Sequence, residues 1–81
     1  MWKEENDQLT ATLEFEDFKS AFAFMTAVAF HAEEQAHHPE WSNVYNKVTI
    51  KLSTHDAGNV VTEKDHQLAA VIDTVYDRYA S

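Results

Sequence analysis

From Gln8 to Glu16 apolar and polar residues alternate without a break, Leu9, Ala11, Leu13 and Phe15 against Thr10, Thr12, Glu14 and Glu16. A period of two predicts a strand with one buried and one wet face. Trp2 to Glu5 reads as a short partner strand, with Asn6-Asp7 as the turn between them. The period then changes. Phe18, Ala21, Phe22, Met25, Ala29 and Ala32 recur at spacings of three and four, which predicts a helix over 17–36 with Asp17 as its cap. Phe24, Val28 and Phe30 add apolar surface outside that stripe, so the helix is expected to meet a second subunit as well as its own sheet.

Pro39 ends the helical pattern, because the residue before a proline is pushed toward extended geometry. Lys47 to Ser53 alternates again, with Val48, Ile50 and Leu52 inward and Lys47, Thr49 and Lys51 outward. Asp56-Ala57-Gly58-Asn59 is turn chemistry. Thr62-Glu63-Lys64-Asp65 opens a last helix in the manner of a capping box, and Leu68, Val71, Ile72, Val75, Tyr76 and Tyr79 keep helical spacing to the C-terminus. The expected order is β-β-α-β-β-α. Short connections make this an α+β fold, a four-stranded antiparallel sheet with helices packed on one face.

Composition narrows the picture. The 81 residues include one glycine, one proline and no cysteine, which leaves no flexible linker, disulfide framework or Cys-based zinc site and suggests one domain over 1–81. A net charge of −8 speaks against nucleic acid and against an anionic membrane surface as partners. The N-terminus Met1-Trp2-Lys3-Glu4-Glu5 lacks the apolar run of a signal peptide. The Ala21–Phe30 stretch is far short of the ~20 residues a membrane span needs. The expectation is a soluble, cytoplasmic protein.

Polar residues of chemical interest gather in two places, both at element ends: Glu33 with His37-His38-Pro39-Glu40-Trp41, and Thr54-His55-Asp56 followed by Asp65. Three histidines with carboxylates suit acid–base work near neutral pH. A metal site is the weaker reading, since His37 and His38 would point apart in extended chain and no H-E-x-x-H pattern is present. Singly, each residue also has an ordinary explanation. His37 or His38 suits a helix C-terminus, His55 a turn, Asp65 a helix cap, Glu33 a solvated helix face and Trp41 a core. His31 and His66 fall on solvated helix positions and are assigned no role.

The ordered string decides more than its members. Glu33-x-x-x-His37-His38-Pro39-x-Trp41-x-x-Val44-Tyr45, then Val48-x-Ile50-x-Leu52-x-Thr54-His55-Asp56, resembles the signature of the pterin-4a-carbinolamine dehydratases. Phe15-x-Asp17-Phe18 upstream and Thr62-Glu63-Lys64-Asp65 downstream fit the same family, so the resemblance runs over about residues 9 to 72. Two departures accompany it. The N-terminal helix usual in the family is absent before the first strand, and the segment between His55 and Asp65 is one residue longer than the common pattern, around Asn59-Val60-Val61.

The resemblance implies an enzyme that removes water from a 4a-hydroxytetrahydropterin, giving the quinonoid dihydropterin that a reductase recycles. The pterin is the substrate, and neither a cofactor nor a metal is implied. His37, His38 and His55 are the implied catalytic residues, with His37 and His55 handling the hydroxyl and the N5 proton. Glu33, Pro39, Trp41, Thr54, Asp56 and Asp65 are the implied binding or orienting residues. Within that set, Glu33 would orient an imidazole, Asp65 would support His55 or touch the pterin, and Trp41 would wall the pocket. Self-association as a dimer or tetramer, through a sheet edge and the 17–36 helix, is also implied. Some family members act as dimerisation cofactors of a homeodomain transcription factor. A non-catalytic interaction protein, or a pterin pocket serving molybdenum-cofactor metabolism, therefore stands beside the dehydratase as an alternative.

Overall fold

The computed structural model describes residues 1–80. Strands β1 (Lys3–Glu5) and β2 (Gln8–Glu14) are followed by helix α1 (Phe18–Gln35), strands β3 (Glu40–Val44) and β4 (Lys47–Leu52), a single 3-10 turn at His55–Ala57, and helix α2 (Glu63–Tyr79). The strands lie in the order β1-β2-β4-β3, and every neighbouring pair is antiparallel. Since β2 and β3 both flank β4, they run parallel to each other, and α1 is the crossover between them. This is a split β-α-β unit.

Local chemistry explains the corners. Asn6 and Asp7 both take positive φ, the geometry a two-residue hairpin requires and one that Asn and Asp tolerate. Asp17 caps α1, its Oδ1 accepting from the Ser20 N–H at 2.8 Å. The far end of α1 closes earlier than Pro39 demands. Ala36 is left-handed at φ 52, and the His37 N–H reaches back to the Ala32 carbonyl at 3.0 Å, so the helix stops in a Schellman turn. Thr62 and Asp65 form a complete capping box at the start of α2. Its regular turns end at Tyr79, and the last residue of the expected helix, Ser81, lies outside the described residues.

The alternating strands bury the faces their pattern predicts. Leu9, Ala11, Leu13 and Phe15 meet Val48, Ile50 and Leu52 on the side covered by both helices. From α2 come Leu68, Ala69, Ile72 and Val75. The buried stripe of α1 is different from the expected one. It consists of Ala21, Phe24, Val28 and Ala32, while Phe18 is 48% exposed, Phe22 is 55% exposed and Ala29 also faces outward. Both sets have helical spacing, because α1 is apolar around most of its circumference. Packing against α2 selects between them. Phe24 is fully buried with its ring centroid 4.9 Å from Phe15 and 6.1 Å from Tyr76. Phe18 and Phe22 instead stack on each other at the surface, and Phe30 is 72% exposed.

Candidate active site

The exit of α1, the end of β4 and the start of α2 meet at one corner of the molecule. Each is an element terminus, where polar side chains can converge without breaking the core. Between them lies a cleft of about 270 Å³. Ala36, His37 and His38 form one wall; Ser53, Thr54, His55, Asp56 and Lys64 form the other. The three histidines singled out in the sequence therefore share one opening.

His37 is the most constrained of them. Its ring is nearly buried, and Nε2 lies 2.6 Å from Oδ1 of Asp65, which is fully buried. The second carboxylate oxygen of Asp65 accepts from the Thr54 hydroxyl at 2.7 Å and from the Thr62 N–H at 2.8 Å. Thr54 Oγ1 also lies 2.6 Å from Thr62 Oγ1. With the Thr54 hydrogen committed to Asp65, the Thr62 hydroxyl must be the donor of that bond. Burial alone would raise the Asp65 carboxyl. Hydrogen bonds from His37, Thr62 and Thr54 more than offset it and hold the group below the ordinary carboxylate value. An ionised Asp65 only accepts, so His37 carries a hydrogen on Nε2 and turns Nδ1 away. Every buried side-chain nitrogen and oxygen among the described residues has a partner, so Nδ1, which makes no hydrogen bond, keeps contact with solvent.

His38 points the other way, as adjacent residues in extended chain do. It is exposed, and Nε2 lies 2.9 Å from Oε1 of Glu33. An exposed pair of this kind holds a ring in place weakly. His55 opens the 3-10 turn, and its Nδ1 lies 3.0 Å from Oδ1 of Asn59.

Several sequence expectations shift here. Glu33 contacts His38, one position beyond the His37 that lies a helical turn away. Asp65 supports His37, where His55 was expected, and it sits beneath the cleft floor with no exposed surface. It also serves as the helix cap, as its position after Thr62 led one to expect. Trp41 does not wall the cleft within one chain. It pairs in register with Ile50 and packs on the core from edge strand β3. Pro39 carries the chain from His38 into β3 and stays outside the cleft lining. Thr54 and Asp56 do line it. His31 faces Glu34 at 3.3 Å on the helix surface, and His66 is exposed. Lys64, Ser53, Thr62 and Asn59 were missed as participants. For Thr62 the signal was present in the capping box, and for Asn59 in its spacing of four from His55 across a turn. Among the described residues no group of three or more His, Asp or Glu side chains is disposed to hold a metal ion. No helix among them is long and apolar enough to cross a membrane.

Comparison with known proteins covers nearly the whole chain. Residues 1–75 match the family described as Pterin 4 alpha carbinolamine dehydratase. The chain belongs to that family. The matched span holds all three cleft histidines together with Glu33 and Asp65. A relative from Opitutus terrae is 53% identical over 68 residues, covering 84% of this chain and 70% of its own. One from Paraburkholderia xenovorans is 56% identical over 69 residues, covering 85% and 71%. Both carry the name pterin-4-alpha-carbinolamine dehydratase as a provisional assignment. Among solved structures, a transcriptional coactivator/pterin dehydratase from Brucella melitensis superposes with a TM-score of 0.87 at 39% identity, over 91% of this chain and 80% of that one. A pterin dehydratase-like protein described as a RuBisCO assembly factor of the alpha-carboxysome superposes at 0.77 with 26% identity, over 91% and 87%. The solved structures that this chain resembles are thus described by a coactivator name and an assembly role as well as by dehydration.

Proposed function

We propose that this protein dehydrates a 4a-hydroxytetrahydropterin to the quinonoid dihydropterin, in the cytoplasm, as a step in tetrahydropterin recycling. The observation that carries this reading is the meeting of His37, His38 and His55 on one cleft, with His37 backed by a buried carboxylate at 2.6 Å. Loss of water from C4a needs a proton delivered to the leaving hydroxyl and a proton removed from N5, so an acid and a base must stand over one pterin. Two imidazoles suit both tasks near neutral pH without a further group. His37 protonates the hydroxyl as the C4a–O bond breaks. The Asp65 carboxylate behind it stabilises the imidazolium that this role requires. His55 takes the N5 proton, and the N–H electron pair becomes the N5=C4a double bond. His38, tethered to Glu33, holds the ring edge, with Thr54 and Asp56 beside it.

Stopped-flow dehydration of synthetic 4a-hydroxytetrahydropterin tests the proposal, with wild type compared to a His37→Ala, His55→Ala double variant. Acceleration by wild type alone supports it. Decay at the buffer rate with both proteins removes the dehydratase reading.

A second reading rests on a different observation. Phe18, Phe22 and Phe30 are exposed large apolar residues on α1. They supply a surface for self-association as dimer or tetramer, or for an assembly role like the one described for the alpha-carboxysome relative. Phe22→Glu, with its oligomeric state measured by light scattering, tests this surface: an assembly formed by wild type and lost by the variant supports it, and an unchanged state removes it.

A further inference from the structure

We propose that Asn59 is a positioning residue for His55, biasing the neutral form of its ring toward the tautomer with the hydrogen on Nδ1, in which Nε2 is the proton acceptor in the cleft. This deepens the dehydratase reading and rests on it. The turn that carries both residues is closed on itself. The Thr54 N–H donates to the Val60 carbonyl at 2.8 Å, the Asn59 N–H to the Thr54 carbonyl at 3.0 Å, and the Gly58 N–H to the His55 carbonyl at 3.0 Å. Gly58 at φ 91 and Asn59 at φ 61 are both left-handed, which brings the chain back under His55 within four residues. That backbone needs a residue tolerant of positive φ at position 59, and glycine would meet the need as well as asparagine. What asparagine adds is a side-chain oxygen, and that oxygen lies 3.0 Å from His55 Nδ1.

An amide oxygen only accepts, so the imidazole nitrogen facing it must carry the hydrogen. The bond made by one ring nitrogen sets the state of the other, and in the neutral form of the ring it leaves the Nε2 lone pair free. His37 is held the opposite way round, with its Nε2–H on Asp65 and its Nδ1 in contact with solvent. The two rings therefore leave different nitrogens uncommitted, with different backing. His37 leans on a carboxylate suited to support a cation, and His55 leans on a neutral amide suited to a neutral base. In the proposed reaction Nε2 of His55 takes the N5 proton while His37 supplies one to the departing hydroxide, so the pair ends one proton displaced and one water is released.

The test uses Asn59→Gly, which keeps the left-handed backbone and removes the oxygen, and Asn59→Asp, which keeps an accepting oxygen. Long-range proton–nitrogen correlation spectra of the histidine rings report the tautomer without any reference to turnover. Wild type and Asn59→Asp are expected to show His55 with its hydrogen on Nδ1, and Asn59→Gly to move toward Nε2–H. For Asn59→Gly, kcat should fall about five-fold, the size of one neutral hydrogen bond, with KM held. A wild-type His55 with its hydrogen on Nε2 overturns the proposal, as does an Asn59→Gly protein with unchanged tautomer and kcat. Absence of dehydration by wild type defeats the functional reading instead, and the spectra still decide whether Asn59 sets the ring.

Discussion

Asp65→Asn is the most informative single change, because it alters one atom and leaves the shape intact. The carboxylate takes three donors: the His37 ring at 2.6 Å, the Thr54 hydroxyl at 2.7 Å and the Thr62 N–H at 2.8 Å. No orientation of an amide satisfies all three. If its oxygen keeps Thr54 and Thr62, its NH₂ faces the His37 Nε2–H, donor against donor, unless His37 moves its hydrogen to Nδ1. If its oxygen keeps His37, its NH₂ faces the Thr62 N–H and the helix cap breaks. The side chain is fully buried, so water cannot repair either mismatch. Converting a charge-assisted bond to a neutral or absent one costs about 2–3 kcal/mol. For a chain of this size that is a fall in Tm of roughly 10–20 °C. Activity should fall further than stability, because either arrangement leaves a forming His37 imidazolium without its carboxylate; the expected loss in kcat is on the order of 10²–10⁴. Urea unfolding gives the first quantity, and single-turnover dehydration measured well below the melting range gives the second. An Asp65→Asn protein with wild-type kcat and an unchanged His37 tautomer would refute the argument.

Acid should act through the same group. Asp65 is held below its ordinary value in the folded state, so its contribution is present above about pH 4 and is lost as pH falls below that. Acid unfolding of Asp65→Asn should be correspondingly less steep in that range, read by circular dichroism. Phe24→Ala should cost about 3–5 kcal/mol in urea unfolding, since the ring is fully buried, whereas Phe22→Ala at 55% exposure should change the stability of the isolated chain by only about 0.5 kcal/mol. Ala36→Gly should raise stability by about 1 kcal/mol, because Ala36 is left-handed at φ 52, a conformation that strains a Cβ; a thermal melt checks it. Glu33→Gln should leave stability unchanged within about 0.5 kcal/mol, as its bond to His38 is exposed, and an equilibrium urea titration would reveal any larger effect.

Strands and helix starts were readable in the sequence because each rests on local chemistry. The alternation of Leu9, Ala11 and Leu13, the Asp17 cap and the Thr62–Asp65 box all act within a few residues, and all appear where the pattern puts them. The buried face of α1 was not readable, since two interleaved apolar stripes satisfy the same period. Only the position of α2, a partner far away in sequence, makes Phe24 core and Phe22 surface. The same division runs through the site. That the histidines belong together was visible in the ordered string of residues. Which carboxylate meets which ring was not, because Asp65 reaches His37 across 28 residues and Glu33 reaches past His37 to His38.

The double use of Asp65 explains why its two sequence readings looked like rivals. As the third residue of α2 it closes the capping box on the Thr62 N–H with one oxygen, which leaves the other free to face the end of α1. His37 is delivered there by the left-handed Ala36, which turns the chain back over the helix end instead of away from it. The capped start of α2 and the Schellman end of α1 are therefore both needed to form one histidine–aspartate contact of 2.6 Å. The site is thus complete only where both helix ends are formed. A cap chosen for helix stability alone could as well be served by Glu or Gln at that position. The shorter Asp draws its carboxylate close to the backbone, where it can meet Thr54 and His37 at once. A Glu at position 65 would keep the capping bond but carry an extra methylene into a fully buried site and push the second oxygen past the His37 ring, so Asp65→Glu should cost about 1–3 kcal/mol of stability, leaving the protein folded, while losing most of the turnover. Equal losses in both would mean the contact is structural, and the division of labour argued for the two carboxylate oxygens would be wrong.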